Sequence, residues 1–169
     1  ENHFDVFILS KEDKYKNKLE SLGCKFYPVE IDLNGKNFFK DINTLINLYK
    51  KIRVIHPDLC ILFTIKPNIY GSLACSLLQI KYINCITGLG TTFINAGYTQ
   101  ILVKKLYKIA LRKSSSVIFQ NNYDKNLFIK NKIINAKSVK LIRGSGVNIS
   151  VFNSNFKLKD YLNSRTTNF

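Results

Sequence analysis

The chain has no methionine at any of its 169 positions, the first included, and only 11 acidic residues against 26 Lys and Arg. The absent initiator leads us to expect a piece of a longer product. The shortage of carboxylates narrows the chemistry further. Glu1, Glu12, Glu20 and Glu30 are the only glutamates, and no two carboxylates stand out as an acid/base pair. His3 and His56 sit at a chain end and a predicted helix end with no carboxylate partner at a suggestive spacing, which argues against a hydrolytic triad. Cys24, Cys60, Cys75 and Cys85 contain no C-x-x-C pair, so a zinc site or disulfide framework is not expected. They read as small buried thiols of a reducing, cytoplasmic compartment. No apolar run approaches the roughly 20 residues that span a bilayer, and no charged-then-apolar signal segment opens the chain.

What remains is a globular composition with a strong positive bias. A hydrophobic content of 46% supports one core and one domain, and the net charge of +15 favours anionic partners: phosphorylated ligands, anionic lipid headgroups or nucleic acid. Along the chain, residues 4–9 (FDVFIL) read as a strand, 12–22 as a polar helix with Gly23 past its end, and 24–29 as a second strand. Phe38, Ile42, Leu45, Ile46, Tyr49 and Ile52 follow helical spacing. Residues 59–63 form a short apolar run suited to a strand buried on both faces of a parallel sheet. Thr64 then offers a helix-capping hydroxyl and Pro67 fits a first helical turn. In the helix that follows, Gly71, Ala74 and Cys75 allow close approach to the sheet, before a strand over 81–86. A helix over 99–113, a strand over 117–120, a helix capped by Asn121 or Asn122 and a strand over 139–142 complete the rhythm. Alternation of this kind predicts a Rossmann-like α/β fold, a parallel sheet with crossover helices on both faces. From residue 153 the composition turns polar, so the expected boundaries are a domain over 1–152 and a linker or tail over 153–169.

Two glycine loops follow predicted strands: TGLGTT at 87–92 and RGSGVN at 143–148. Neither has the G-x-G-x-x-G spacing of a dinucleotide fingerprint, and no segment matches a P-loop. Their position carries the argument, because ligands of open α/β sheets collect at the carboxyl ends of strands. Thr64, Lys66, Asn68, Thr87, Gly88, Leu89, Gly90, Arg143, Gly144, Ser145 and Gly146 are therefore the expected cleft-lining residues. Backbone N–H groups and positive charge along that edge suit an anion or a sugar. No catalytic residue, cofactor or metal ligand is assigned.

Read together, HPDLCILFTIKPNIYGSLACSLLQIKYINCITGLGTTF, VIFQNNYDKNLFI and LIRGSGVNISVF resemble the amino-terminal domain of family 4 glycosyltransferases of the GT-B fold, of the bacterial surface-polysaccharide type. The resemblance implies one half of a two-domain enzyme. The half seen here would hold a glycan or lipid-linked acceptor, and a carboxyl-terminal partner domain would hold the nucleotide-sugar donor. It also implies that a first strand and helix are missing, and that the family's E-x7-E belongs to the donor domain. Glu12 and Glu20, on a lysine-rich polar helix, mimic that spacing only. Thr87 stands where many relatives have histidine, and Asn148 where aspartate is common. A GT-B-shaped sugar-nucleotide epimerase is the alternative enzyme. A basic nucleic-acid-binding module is disfavoured because most aromatics fall on apolar stripes.

The helix over 99–113 has a second implication. On a helical wheel Lys104, Lys105, Lys108 and Arg112 share a sector, opposite Leu102, Val103, Leu106, Ile109 and Ala110. Such a helix is expected to pack its apolar side on the sheet and turn its cations toward an anionic membrane surface.

Overall fold

The alternation of short apolar runs with amphipathic stretches yields strands and helices in the expected order. The structure, a computed structural model, describes residues 4–31, 38–90, 93, 97–142, 144 and 146. The elements are β1 (Phe7–Ser10), α1 (Lys16–Ser21), β2 (Lys25–Pro28), α2 (Phe38–Ile55), β3 (Leu59–Phe63), a π-helical turn (Pro67–Gly71) and α3 (Ser72–Leu78). There follow β4 (Lys81–Ile86), α4 (Tyr98–Ala110), β5 (Ser116–Phe119), α5 (Asn122–Lys130) and β6 (Val139–Leu141). Helix α1 starts later than its polar pattern suggests, because Asp13 Oδ1 accepts the Tyr15 N–H at 2.9 Å and holds a turn there instead. The boundary expected at 152 lies outside the described residues.

Among the described residues every strand pairing is parallel, as the crossover rhythm requires. β1 pairs with β2 in a two-stranded sheet, and the order β3-β4-β5-β6 makes a four-stranded one. Two clusters glue helices to the larger sheet. Leu62 and Tyr82 join Leu48 and Ile52 of α2 and Ala74 and Cys75 of α3, with Val29 and Leu9 tying in the smaller sheet. Ile86, Val117 and Phe119 join Tyr107 of α4 and Phe128 of α5. Gly71 is needed where the π-turn meets β3: a Cβ there would lie 2.8 Å from Leu62 Cδ2, which fits the close approach expected of it.

Two expectations need correction. β3 is not buried on both faces: Leu59, Ile61 and Phe63 are 43%, 54% and 51% exposed, while Leu62 on the other face is buried. The reason is that the described helices pack their buried side chains on the Leu62 side. The wheel for α4 is also rotated. Tyr107, Ala110 and, just beyond the helix, Leu111 are its buried residues, whereas Leu102 and Ile109 are 54% and 60% exposed and Lys104 is half-buried. Tyr107 sets the rotation, its ring lying 5.9 Å from Phe93 and 5.2 Å from Phe128, a large apolar contact that outweighs two aliphatic side chains.

Candidate functional site

Parallel register places all the loops of interest at one edge. Phe63 is level with Cys85, Ile86 with Phe119, and Phe119 with Leu141. The segments starting at Thr64, Thr87, Gln120 and Ile142 therefore leave the sheet side by side, in the order of the strands. This is the carboxyl edge, where open α/β sheets collect ligands.

The first wall is built from β3 and the π-turn. Thr64 has φ 62°, a left-handed conformation that is uncommon for a β-branched residue. The expected hydroxyl cap is not made. Lys66 occupies the N-cap with no side-chain cap, and the Thr64 carbonyl accepts the Asn68 N–H at 3.1 Å. Turning the chain through the left-handed region delivers a carbonyl where a hydroxyl was expected. Lys66 donates to Asp41 Oδ1 at 2.7 Å, with side chains only 12% and 20% exposed. Tyr70 shares that carboxylate: burial, then the Asp41 charge and a hydrogen bond to it, push the phenol well above its ordinary range. The hydroxyl thus stays protonated beside the carboxylate.

Asp41 was not legible as a site residue. It lies 25 positions from Lys66, and no short-range pattern links them. Only topology does: α2 runs back antiparallel to the strands, so its first turn, with Asp41, returns to the carboxyl edge. Because the pair is largely desolvated, Asp41→Asn is expected to destabilise the chain by about 1–3 kcal/mol, measured by urea denaturation. A cost near zero would mean the pair behaves as a surface contact.

Asn68 is not cleft-lining. It is 1% exposed, and its Nδ2 donates to the Cys85 carbonyl at 3.0 Å. Asn84 Nδ2 donates to Asn68 Oδ1 at 2.9 Å and Ser72 Oγ at 2.8 Å, and Ser72 Oγ donates to the Asn68 carbonyl at 2.6 Å. This buried network binds the π-turn to β4. A polar residue opening a helix looks the same in sequence whether it faces a ligand or the sheet.

The second wall is the loop after β4. Thr87 and Gly90 are exposed and Gly88 partly so, but Leu89 is 7% exposed and packs in the core, so it anchors the loop rather than lining a cleft. Gly90 has φ 61°, and a Cβ there would lie 3.1 Å from Ile65 Cδ1. That approach brings the two walls together. At the far end, Gly144 and Gly146 are exposed with φ 60° and 71°, and the Gly144 N–H reaches the Ile142 carbonyl at 2.8 Å. Arg143 and Ser145 lie outside the described residues.

Sequence reasoning overlooked the end of β5, which lies between the two glycine-containing segments. There Asn121 Oδ1 accepts the Asp124 N–H at 2.8 Å and its Nδ2 donates to Asp124 Oδ2 at 2.9 Å, capping α5 as expected. Among the described residues no group of His, Cys, Asp and Glu is arranged to hold a metal ion. No described helix is long and apolar enough to cross a membrane.

Comparison with known proteins adds identity to this geometry. Residues 1–121 match the family described as glycosyl transferase 4-like. The chain is 27% identical over 153 residues to the N,N'-diacetylbacillosaminyl-diphospho-undecaprenol alpha-1,3-N-acetylgalactosaminyltransferase of Campylobacter jejuni, covering 88% of this chain and 40% of the relative. It therefore spans well under half of that protein's length. Among solved structures, Anabaena HepE in complex with UDP and glucose superposes with a TM-score of 0.62 at 16% identity, over 95% of this chain and 42% of that one. The UDP-GlcNAc 2-epimerase of Methanocaldococcus jannaschii gives 0.55 at 14% identity, over 95% and 53%. At such identities both show the fold alone.

Proposed function

Because the chain belongs to the glycosyl transferase 4-like family, we propose that it is the acceptor-side domain of a hexosyltransferase acting in bacterial surface-glycan synthesis, of the capsule or O-antigen kind. One observation carries this reading: the family match runs through β3, the π-turn, β4 and the loop that follows, the stretch that builds the two adjoining walls. The substrates are a nucleotide-sugar donor and a glycan or lipid-linked acceptor. Thr64, Lys66, Thr87, Gly88, Gly90, Gly144 and Gly146 face the acceptor, with Asp41 and Tyr70 beside Lys66. Charge on the leaving diphosphate is stabilised mainly by a donor domain outside these 169 residues. The C. jejuni relative is named for a lipid-linked substrate, and that supports work at the inner face of the cytoplasmic membrane. Lys105, Lys108 and Arg112 are exposed on or just beyond α4, and each cation near an anionic surface contributes about 1 kcal/mol, reversibly and in a salt-sensitive way.

The test uses the longer polypeptide and the 169-residue chain in parallel, with UDP-sugars and an undecaprenyl-diphosphate-linked glycan as acceptor. Acceptor-dependent sugar transfer by the longer protein, and none by the chain alone, is the expected result. Interconversion of the UDP-sugar without acceptor would replace transferase by epimerase.

A further inference from the structure

Behind the first wall, two cysteines that are distant in sequence meet. Gly71 seats directly on β3, where a Cβ would lie 2.8 Å from Leu62 Cδ2. From that fixed point the periods of helix and strand decide the rest. Cys75 shares a helix face with Gly71, one turn further on and about 6 Å along the axis, and Cys60 shares a strand face with Leu62, about 6.6 Å back along β3. Because α3 is the crossover between the parallel strands β3 and β4 and runs back along them, Cys75 comes to lie over Cys60. Both pack in one cluster with Leu62 and Ala74, and their thiols share a hydrogen bond. Cys75 is fully buried whereas Cys60 is half-buried, so Cys60 is the thiol open to a small reagent. The bond from the Cys75 thiol holds Cys60 below the ordinary thiol range against the opposing effect of burial, and the same bond together with burial pushes Cys75 up. Cys85 alternates onto the other face of β4 from Tyr82, which is level with Cys60, and Cys24 precedes β2, so neither joins the pair.

We propose that Cys60 and Cys75 form an oxidative modification site, at which a hydroperoxide converts the two thiols into a reversible disulfide clasping α3 to β3. The Cys60 thiolate attacks one peroxide oxygen and the O–O bond breaks, leaving a sulfenic acid on Cys60, while the released hydroxide or alkoxide takes up the proton that Cys60 gave up. The Cys75 sulfur then attacks the Cys60 sulfur: the S–S bond forms, the S–O bond breaks, and the expelled hydroxide leaves with the Cys75 proton as water. The two thiols are oxidised and the peroxide is reduced. A disulfide needs Cβ atoms about 4 Å apart, a spacing close to that of thiols already in hydrogen-bond contact. Such a bridge fits a reducing compartment as a transient, sensing disulfide, and it would enclose Thr64 and Lys66 in one covalent loop. The test treats the folded longer polypeptide with hydrogen peroxide, blocks remaining thiols with N-ethylmaleimide and maps tryptic peptides by mass. Pro67 prevents cleavage after Lys66, so residues 54–81 carry both cysteines in a single peptide. The expected result is that this peptide loses the mass of a pair of hydrogens, takes up no maleimide, and regains both thiols in dithiothreitol. In Cys75→Ser, Cys60 is expected to stop at a sulfenic acid that dimedone traps; in Cys60→Ser, changed at the half-buried position, Cys75 is expected to remain a thiol. A peptide that still takes up maleimide on both cysteines, or Cys60 advancing to sulfinic acid beside an untouched Cys75 in the unmutated protein, would overturn the proposal. A bridge that forms only when peroxide is added in urea would belong to the unfolded chain and overturn it too.

Discussion

Phe128→Ala is expected to cost about 3–5 kcal/mol of folding stability, the range for deleting a buried aromatic ring. Phe128 is fully buried, and its ring lies 5.3 Å from Phe93, 5.2 Å from Tyr107 and 5.2 Å from Phe119. These rings come from α4, β5, α5 and the segment between β4 and α4, so no single element can shift to fill the cavity without disturbing the others. A domain of this size has about 5–15 kcal/mol in hand, so the loss is a large share of its stability and should move the denaturation midpoint clearly downward. Phe128→Leu, which keeps most of the volume, is expected to cost much less. Chemical denaturation of both variants checks the claim, and an alanine variant within about 1 kcal/mol of wild type would show that the aromatic cluster is not the centre of the core.

The largest expected effect on activity is at the loop after β4, read in the longer polypeptide. At Gly88 a Cβ meets nothing within 4 Å, so Gly88→Val is expected to leave the melting temperature nearly unchanged. With the acceptor against this loop as proposed, the branched side chain would stand in its place, and a misplacement of about 1 Å costs on the order of 100-fold in turnover. Gly90→Val should behave differently. With φ at 61° and Ile65 Cδ1 3.1 Å from the added Cβ, the strain falls on the fold, about 1–3 kcal/mol. Paired measurements of kcat/KM and melting temperature separate the two. Undiminished turnover in the Gly88→Val enzyme would reduce this loop to a turn.

Much of this was readable from residue order because period and punctuation agree. The apolar run of β3, bounded by Asp58 and Thr64, and the run of β4, bounded by Ile80 and Thr87, are strands with the predicted limits. The Asn121 cap and the stop at Gly23 were equally local signals. What stayed hidden depends on what lies across space. Asp41 reaches the site because a crossover helix must run back, and α4 is turned by the one ring, Tyr107, that found a hydrophobic socket. Asn68 illustrates the limit from the other side, since its amide was expected at a ligand and instead serves the sheet. The exposed face of β3 depends on which side the helices cover, on which an apolar run is silent.

That buried amide network has a consequence for how the site meets a ligand. The π-turn is tied to β4 through Asn68, Ser72 and Asn84, and to β3 through the close seat of Gly71 on Leu62. The ordering entropy of this wall is thus settled during folding rather than at the moment of association. Any ligand that binds along this wall meets a surface already ordered by the fold.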